Sequence, residues 1–146
     1  MSTLSDHEKI CALANRFANS FDLKDWNALE ECLSDSLLAD YSDLRGTPPE
    51  VISKQRFVEL RRTALDAMAT HHLMGNHEIL VDGDTASAIV SCAIFRRNTS
   101  GERLDTHCIY FFKAARDAGI WKISAIKQKL LLNDGDTSIH AGIVRK

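Results

Sequence analysis

The sequence predicts an α+β fold: helices first, then a run of long antiparallel strands that curves around them. Three observations predict it. Helical periodicity of apolar residues dominates up to about residue 69 and then stops. From Thr70 onward the chain alternates or runs apolar with β-branched and aromatic residues. That second half is cut by three turn signals, "DGD" at 82–84, "NTSGE" at 98–102 and "RDAG" at 116–119. Helices followed by a strand meander give helices packed on one face of a single sheet.

Ser5 and Glu8 have capping-box spacing and open the first helix. Ile10, Leu13, Ala14, Phe17 and Phe21 then form one apolar stripe, with Ala14, Ala18 and Asp22 in the adjacent i, i+4 row. Asp22 therefore falls at the C-terminal end of this helix, at the edge of its buried face. Asp25 caps a short second helix that carries Trp26, Leu29, Cys32 and Leu33. "SLLADYS" (36–42) alternates, and the face holding Leu37, Ala39 and Tyr41 is the better core candidate, which places the Tyr41 hydroxyl at or inside a pocket. "RGTPPE" is a loop. A longer helix runs from about Ser53 to Ala69 with Phe57, Leu60, Ala64, Leu65 and Met68 on its apolar face. Four strands follow: "THHLMGNHEILV", "TASAIVSCAIFRR", "RLDTHCIYFFKAA" and "IWKISAIKQKLLL". The polar stretch 133–146 reads as a tail, partly disordered or folded over a neighbour. With no repeat and no linker, residues 1–146 read as one domain with its core at about 5–132.

Eighteen Lys and Arg against 20 Asp and Glu leave a net charge of −2, which points to neither a nucleic-acid nor an anionic-membrane partner. The pairs Arg61–Arg62 and Arg96–Arg97 read as solvated. Cys11, Cys32, Cys92 and Cys108 lie far apart without metal-ligand or redox spacing, so no metal and no cofactor is expected and the thiols read as reduced and mostly buried. No apolar run approaches the roughly 20 residues a membrane helix needs, and the N-terminus is polar. The expected location is cytoplasmic.

"THHLMGN" (70–76) places two histidines side by side, and on a strand they point to opposite faces. Thr70, His72 and Met74 share one face; His71, Leu73 and Gly75 share the other. Alternation alone does not say which is concave.

The stretch "FANSFDLKDWNALEECLSDSLLADYSDL" (17–44), with "THHLMGN" and "IWKISAIK", resembles scytalone dehydratase and its bacterial relatives. These are SnoaL-like proteins of the nuclear transport factor 2-like (NTF2-like) superfamily. The similarity covers roughly residues 7–131. It implies an NTF2-like cone, a cystatin-like α+β barrel with helices on the concave face of the sheet. It further implies that His72, Tyr41 and Asp22 are the pocket residues, with His72 turned inward. The substrate-binding set expected around them is Phe21, Phe57, Met74, Phe95, Cys108 and Tyr110. In that family tyrosine hydroxyls hold a water against the substrate carbonyl and histidines move the protons of a dehydration, without a cofactor.

This chain departs from the pattern at three places. Phe21 stands where the family has a second tyrosine, Phe95 near its second histidine, and Cys108 near its pocket asparagine. On that alignment Asp22 lacks its imidazole. His107 is a possible second base only if a bulge brings it inward.

Two functions compete. One is a cofactor-independent dehydratase or isomerase acting on a small apolar or aromatic carbonyl compound, with polyketide cyclase as a variant. The other is a non-catalytic binding or assembly module, like the small subunit of a ring-hydroxylating dioxygenase. Apolar residues on both faces of 85–97 and 103–113 call for a second partner surface, and a homo-oligomer, dimer or trimer, is expected.

Overall fold

The computed structural model describes residues 3–140. Helix α1 (Asp6–Asp22) starts at the capping box: Ser5 accepts from the Glu8 N–H, and the Glu8 carboxylate takes the Ser5 N–H at 2.7 Å. Helix α2 (Trp26–Glu31) is capped by Asp25, which accepts from the Ala28 N–H at 3.0 Å. Strand β1 (Leu33–Asp40) follows, then a one-turn helix α3 (Ser42–Arg45), strand β2 (Glu50–Ser53) and helix α4 (Lys54–Leu65). Strands β3 (Ala69–Asp82), β4 (Thr85–Arg97), β5 (Arg103–Asp117) and β6 (Ile120–Gly135) complete one six-stranded sheet in the order β2-β1-β6-β5-β4-β3.

The meander and its three turns lie where the sequence puts them. Three features were not foreseen. The loop "RGTPPE" leads into β2, which pairs with β1, and α3 begins at Ser42, the last residue of the stretch read as strand. The sheet is mixed rather than antiparallel, because β1 pairs with β6 in parallel. Helix α4 carries the chain from β2, on the β1 edge, to the opposite edge, and the meander returns until β6 lies beside β1. Alternation in a sequence carries no strand direction, so this seam was invisible. Finally, β6 continues to Gly135 and a 3-10 turn follows at Thr137–Ile139, so 133–140 is not a loose tail. The remainder of that segment, 141–146, lies outside the described residues.

Bulges set the faces. Between Gly75 and Glu78, β3 carries one residue more than β4, and Asn76 takes the left-handed φ of 53° that absorbs it. His72 and Met74 face inward before this bulge; His77, Ile79 and Val81 do so after it. Strand β6 carries two extra residues: Ser124, opposite the step Lys113/Ala114, shifts its inward row from Trp121 and Ile123 to Ile126 and Gln128, and Leu131 lies opposite the step His107/Cys108. The concave face and the helices enclose a core of Phe17, Phe21, Leu29, Leu37, Phe57, Val90, Ile94, Phe112 and Ile126, all at most 4% exposed. Cys32, Cys92 and Cys108 are buried free thiols, as expected.

Candidate active site

Asp22 and His72 meet where the end of α1 crosses the start of β3. The Asp22 Oδ1 lies 2.7 Å from His72 Nδ1, and its Oδ2 accepts the His72 backbone N–H, also at 2.7 Å. Thr70 Oγ1 donates to Oδ1 at 3.0 Å, and Lys24 Nζ donates to Thr70 Oγ1 at 3.4 Å. An aspartate at a helix C-terminus opposes the helix dipole. Here the strand amide and the imidazole provide the compensation that α1 does not. Parity is thereby settled: His72 faces inward with 8% exposure, and His71 is exposed.

The ionisation states follow from competing effects. Burial disfavours imidazolium and lowers the His72 pKa; the hydrogen bond and charge of Asp22 oppose this without prevailing, and Arg96 and Lys24 reinforce it. For Asp22, burial raises the pKa, but the donors from His72 and Thr70 outweigh it and the net shift is downward. At neutral pH the pair is a carboxylate facing a neutral ring. The carboxylate can only accept, so Nδ1 carries the proton and Nε2 keeps its lone pair. Phe21 stacks on this ring at 5.1 Å with planes 23° apart. Asp22 thus does have an imidazole partner, and it is His72 itself rather than a residue near position 95.

One expected residue, Phe95, points the other way, and His107 stays on the face that plain alternation gives it. Phe95 lies on the outer face with His71 and His107, its ring 6.3 Å from the first and 6.4 Å from the second. A bulge does occur beside His107, but the extra residue is Leu131 on β6, so His107 keeps its outward direction. His107 and Phe95 therefore belong to the outer surface, where an open groove of about 380 Å³ runs past Leu73, Ala93, His107 and Leu131.

Phe57, Cys108 and Tyr110 are buried inside, and Met74 packs half-buried against the same core. Cys108 directly faces Cys92 across β4 and β5. Gln128 Nε2 donates to the Tyr110 hydroxyl at 3.2 Å and lies 3.5 Å from the Cys108 sulfur. The Tyr41 hydroxyl is buried with no hydrogen-bond partner among the described residues, and so is Gln128 Oε1.

The residues missed from sequence are arginines. Arg61 is 5% exposed and Arg96 3%, so neither is solvated; Arg62 and Arg97 are the exposed members of each pair. Arg61 lies 4.1 Å above the Phe57 ring and 4.5 Å above the Tyr41 ring. Arg45, from the end of α3, also lies over the Tyr41 ring, 5.2 Å from its centroid. Arg96 donates to Thr106 at 2.7 Å, which donates to Asn133 at 2.7 Å. The signals existed. Arg61 sits in the i, i+4 row between Phe57 and Leu65, and Arg96 ends the inward row Val90, Cys92, Ile94. Among the described residues, no group of three or more His, Cys, Asp or Glu is arranged to hold a metal ion, and no helix is long and apolar enough to cross a membrane.

Helices packed on one face of a bent sheet give the α+β architecture of NTF2-like proteins with a cystatin-like fold. The chain belongs to the SnoaL-like domain family, whose profile matches residues 2–127. A scytalone dehydratase-like protein, claB of Passalora fulva, is 33% identical over 63 residues, 43% of this chain and 35% of that protein. The match thus spans about a third of the curated relative. The crystal structure of the Kribbella flavida protein Kfla4162 superposes with a TM-score of 0.87 at 23% identity, covering 92% of this chain and 95% of that one. Hexachlorocyclohexane dehydrochlorinase LinA type 2 superposes with a TM-score of 0.76 at 17% identity, covering 95% and 91%. Both structural likenesses speak to the fold.

Proposed function

We propose that the protein is a cofactor-independent lyase or isomerase that acts on a small carbonyl compound by proton transfer inside the cone. The observation that carries this reading is the Asp22–His72 pair: a buried imidazole whose Nδ1 is held 2.7 Å from the carboxylate, leaving Nε2 as its other ring nitrogen for a substrate. Nε2 is the general base. It removes a proton α to the substrate carbonyl, and the Tyr41 hydroxyl, which lacks a partner, donates to the developing enolate oxygen. In a dehydration the imidazolium then returns the proton to the departing hydroxyl, which leaves as water. Asp22 fixes the tautomer and stabilises the imidazolium. The names of two similar proteins, a dehydratase-like one and a dehydrochlorinase, support an elimination.

The test is conversion of β-hydroxy aryl ketones to enones, followed by ultraviolet absorbance, in wild type and His72→Asn. The reading expects turnover that His72→Asn abolishes. Absence of turnover across the panel, with ketone binding unchanged in His72→Asn, would leave the binding-module reading in its place.

The reading includes self-association. Leu73, Leu80, Leu131 and Leu132 are each more than half exposed on the strands, and Ile89 and Phe111 are 36% exposed. Light scattering that returns a monomer mass at micromolar concentration sinks this part.

A further inference from the structure

The interior holds more positive charge than the dyad needs. Arg45, Arg61 and Arg96 come from three separate elements, α3, α4 and β4, and their guanidinium groups turn into one region of the cone. Arg45 and Arg61 share the faces of Tyr41, and Arg45 is close enough to Arg61, Arg96, Tyr41 and Tyr110 to interact with the charge or dipole of each. Among the described residues, none of the three forms a direct ion pair with a carboxylate; Asp105, which pairs with Arg97 and Arg103, reaches Arg96 only through its longer-range charge. The acidic side chain inside, Asp22, is committed to His72, Thr70 and the β3 backbone. Burial and the neighbouring Arg61 bring the Arg45 pKa down to about 10, so the group is still cationic at neutral pH.

Buried guanidinium groups without a counter-charge are costly unless something fills the gap. Arg96 donates to Thr106, but hydrogen-bonding capacity at this end is only partly filled. Arg45 Nε is buried without a partner, as are the Tyr41 hydroxyl beside it and Gln128 Oε1. The groups shown against them are aromatic: the rings of Phe57 and Tyr41. Planar forks held against aromatic rings present their N–H edges to a planar, bidentate acceptor.

We infer that this end of the cone binds the carboxylate of a small, planar, unsaturated or aromatic acid, with Arg45 and Arg61 gripping the carboxylate and Arg96 completing the positive field between it and His72. The ligand class deepens the lyase reading: the substrate is an anion whose carbonyl portion reaches Tyr41 and His72. It rests on that reading only for the ligand's being a substrate; binding stands alone. An inorganic anion lacks the flat apolar body that Phe57 and Tyr41 would cover.

Isothermal titration of the purified full chain at pH 7 with benzoate, benzamide and sulfate tests it without reference to turnover. Benzoate is expected to bind at least tenfold more tightly than benzamide, its neutral isostere, and than sulfate. Arg45→Met and Arg61→Met are each expected to weaken benzoate at least tenfold. Arg61→Lys, which keeps the charge and loses the fork, should fall between them and wild type. His71→Asn, on the outer face, should keep benzoate affinity within threefold, and benzoate binding in the absence of any turnover separates this proposal from the proton-transfer reading. Equal binding of benzoate and benzamide, sulfate binding as tight as benzoate, or unchanged affinity in both folded methionine variants overturns it.

Discussion

The two ends of the cone interior are built on opposite terms. At the Asp22–His72 end both carboxylate oxygens, the ring Nδ1, a backbone amide and the Thr70 hydroxyl are joined within 3.0 Å. At the Arg45–Arg61–Tyr41 end, guanidinium groups rest on rings and buried polar atoms are left without partners. The first end is complete in the free protein, as a preorganised proton-transfer pair has to be. The second leaves Arg45 Nε, the Tyr41 hydroxyl and Gln128 Oε1 unpartnered, and on the carboxylate proposal a ligand completes it. One sheet thus carries a finished half and an unfinished half, and substitutions should act on them with different signs.

The largest effect should come from His72→Asn. The asparagine Nδ2–H₂ can replace the Nδ1 donor to Asp22, so the network survives while the Nε2 base is lost. Turnover of an eliminating substrate should fall about 10²–10⁴-fold, the usual loss for a general acid–base group. His71→Asn, on the outer face, should leave it near wild type. Equal losses at both positions would make the pair structural.

Asp22→Asn should damage the finished end itself. It removes the charge that receives three donors, and a hydrogen bond to a charged group is worth about 1.5–3 kcal/mol. Urea unfolding should show a loss in that range, with the midpoint shifted and the slope unchanged. Arg61→Met, at the unfinished end, should do the reverse. Replacing a buried charge that lacks a partner by an apolar chain of similar length relieves desolvation, and a gain of about 1 kcal/mol in the ligand-free protein is expected. A clear loss of stability in Arg61→Met would mean that its contacts with Tyr41 and Phe57 outweigh the buried charge, and the contrast between the ends would close.

The same contrast explains what could be read from the chain. The caps at Ser5 and Asp25, the turns at 82–84 and 116–119, and the inward Tyr41 are local features, set by residues a few positions apart. The Asp22–His72 contact spans 50 positions, but each half was legible, one from helical spacing and one from resemblance. Phe95 went wrong because alignment gives a neighbourhood, whereas facing depends on strict parity along β4; His107 keeps the outward face that alternation gives it, because the extra residue is Leu131 on the other strand. The arginines were overlooked for a different reason. Charge is ordinarily solvated, and that expectation overrode the row that places Arg61 between Phe57 and Leu65.

The smallest effect concerns protons at the finished end. Burial holds the His72 pKa below its ordinary value. As pH falls below about 6.5, the unfolded chain takes up a proton at this histidine that the folded chain refuses, so stability declines with falling pH. The slope contributed by one such group is at most about 1.4 kcal/mol per pH unit. His77, half-buried against Asn15, has its pKa lowered in the same direction by burial, so wild type alone cannot isolate His72. The difference between wild type and His72→Asn can, since His77 is present in both. Asp22, with its pKa lowered, stays ionised between pH 6.5 and 5 and does not add to the slope in that window. Urea melts across that range should therefore show wild type losing stability faster than His72→Asn, by up to one proton's worth. Parallel curves would mean that folded His72 titrates like an exposed histidine, with the Asp22 charge offsetting its burial. In that case the neutral base assumed for catalysis at pH 7 would lose its margin over imidazolium.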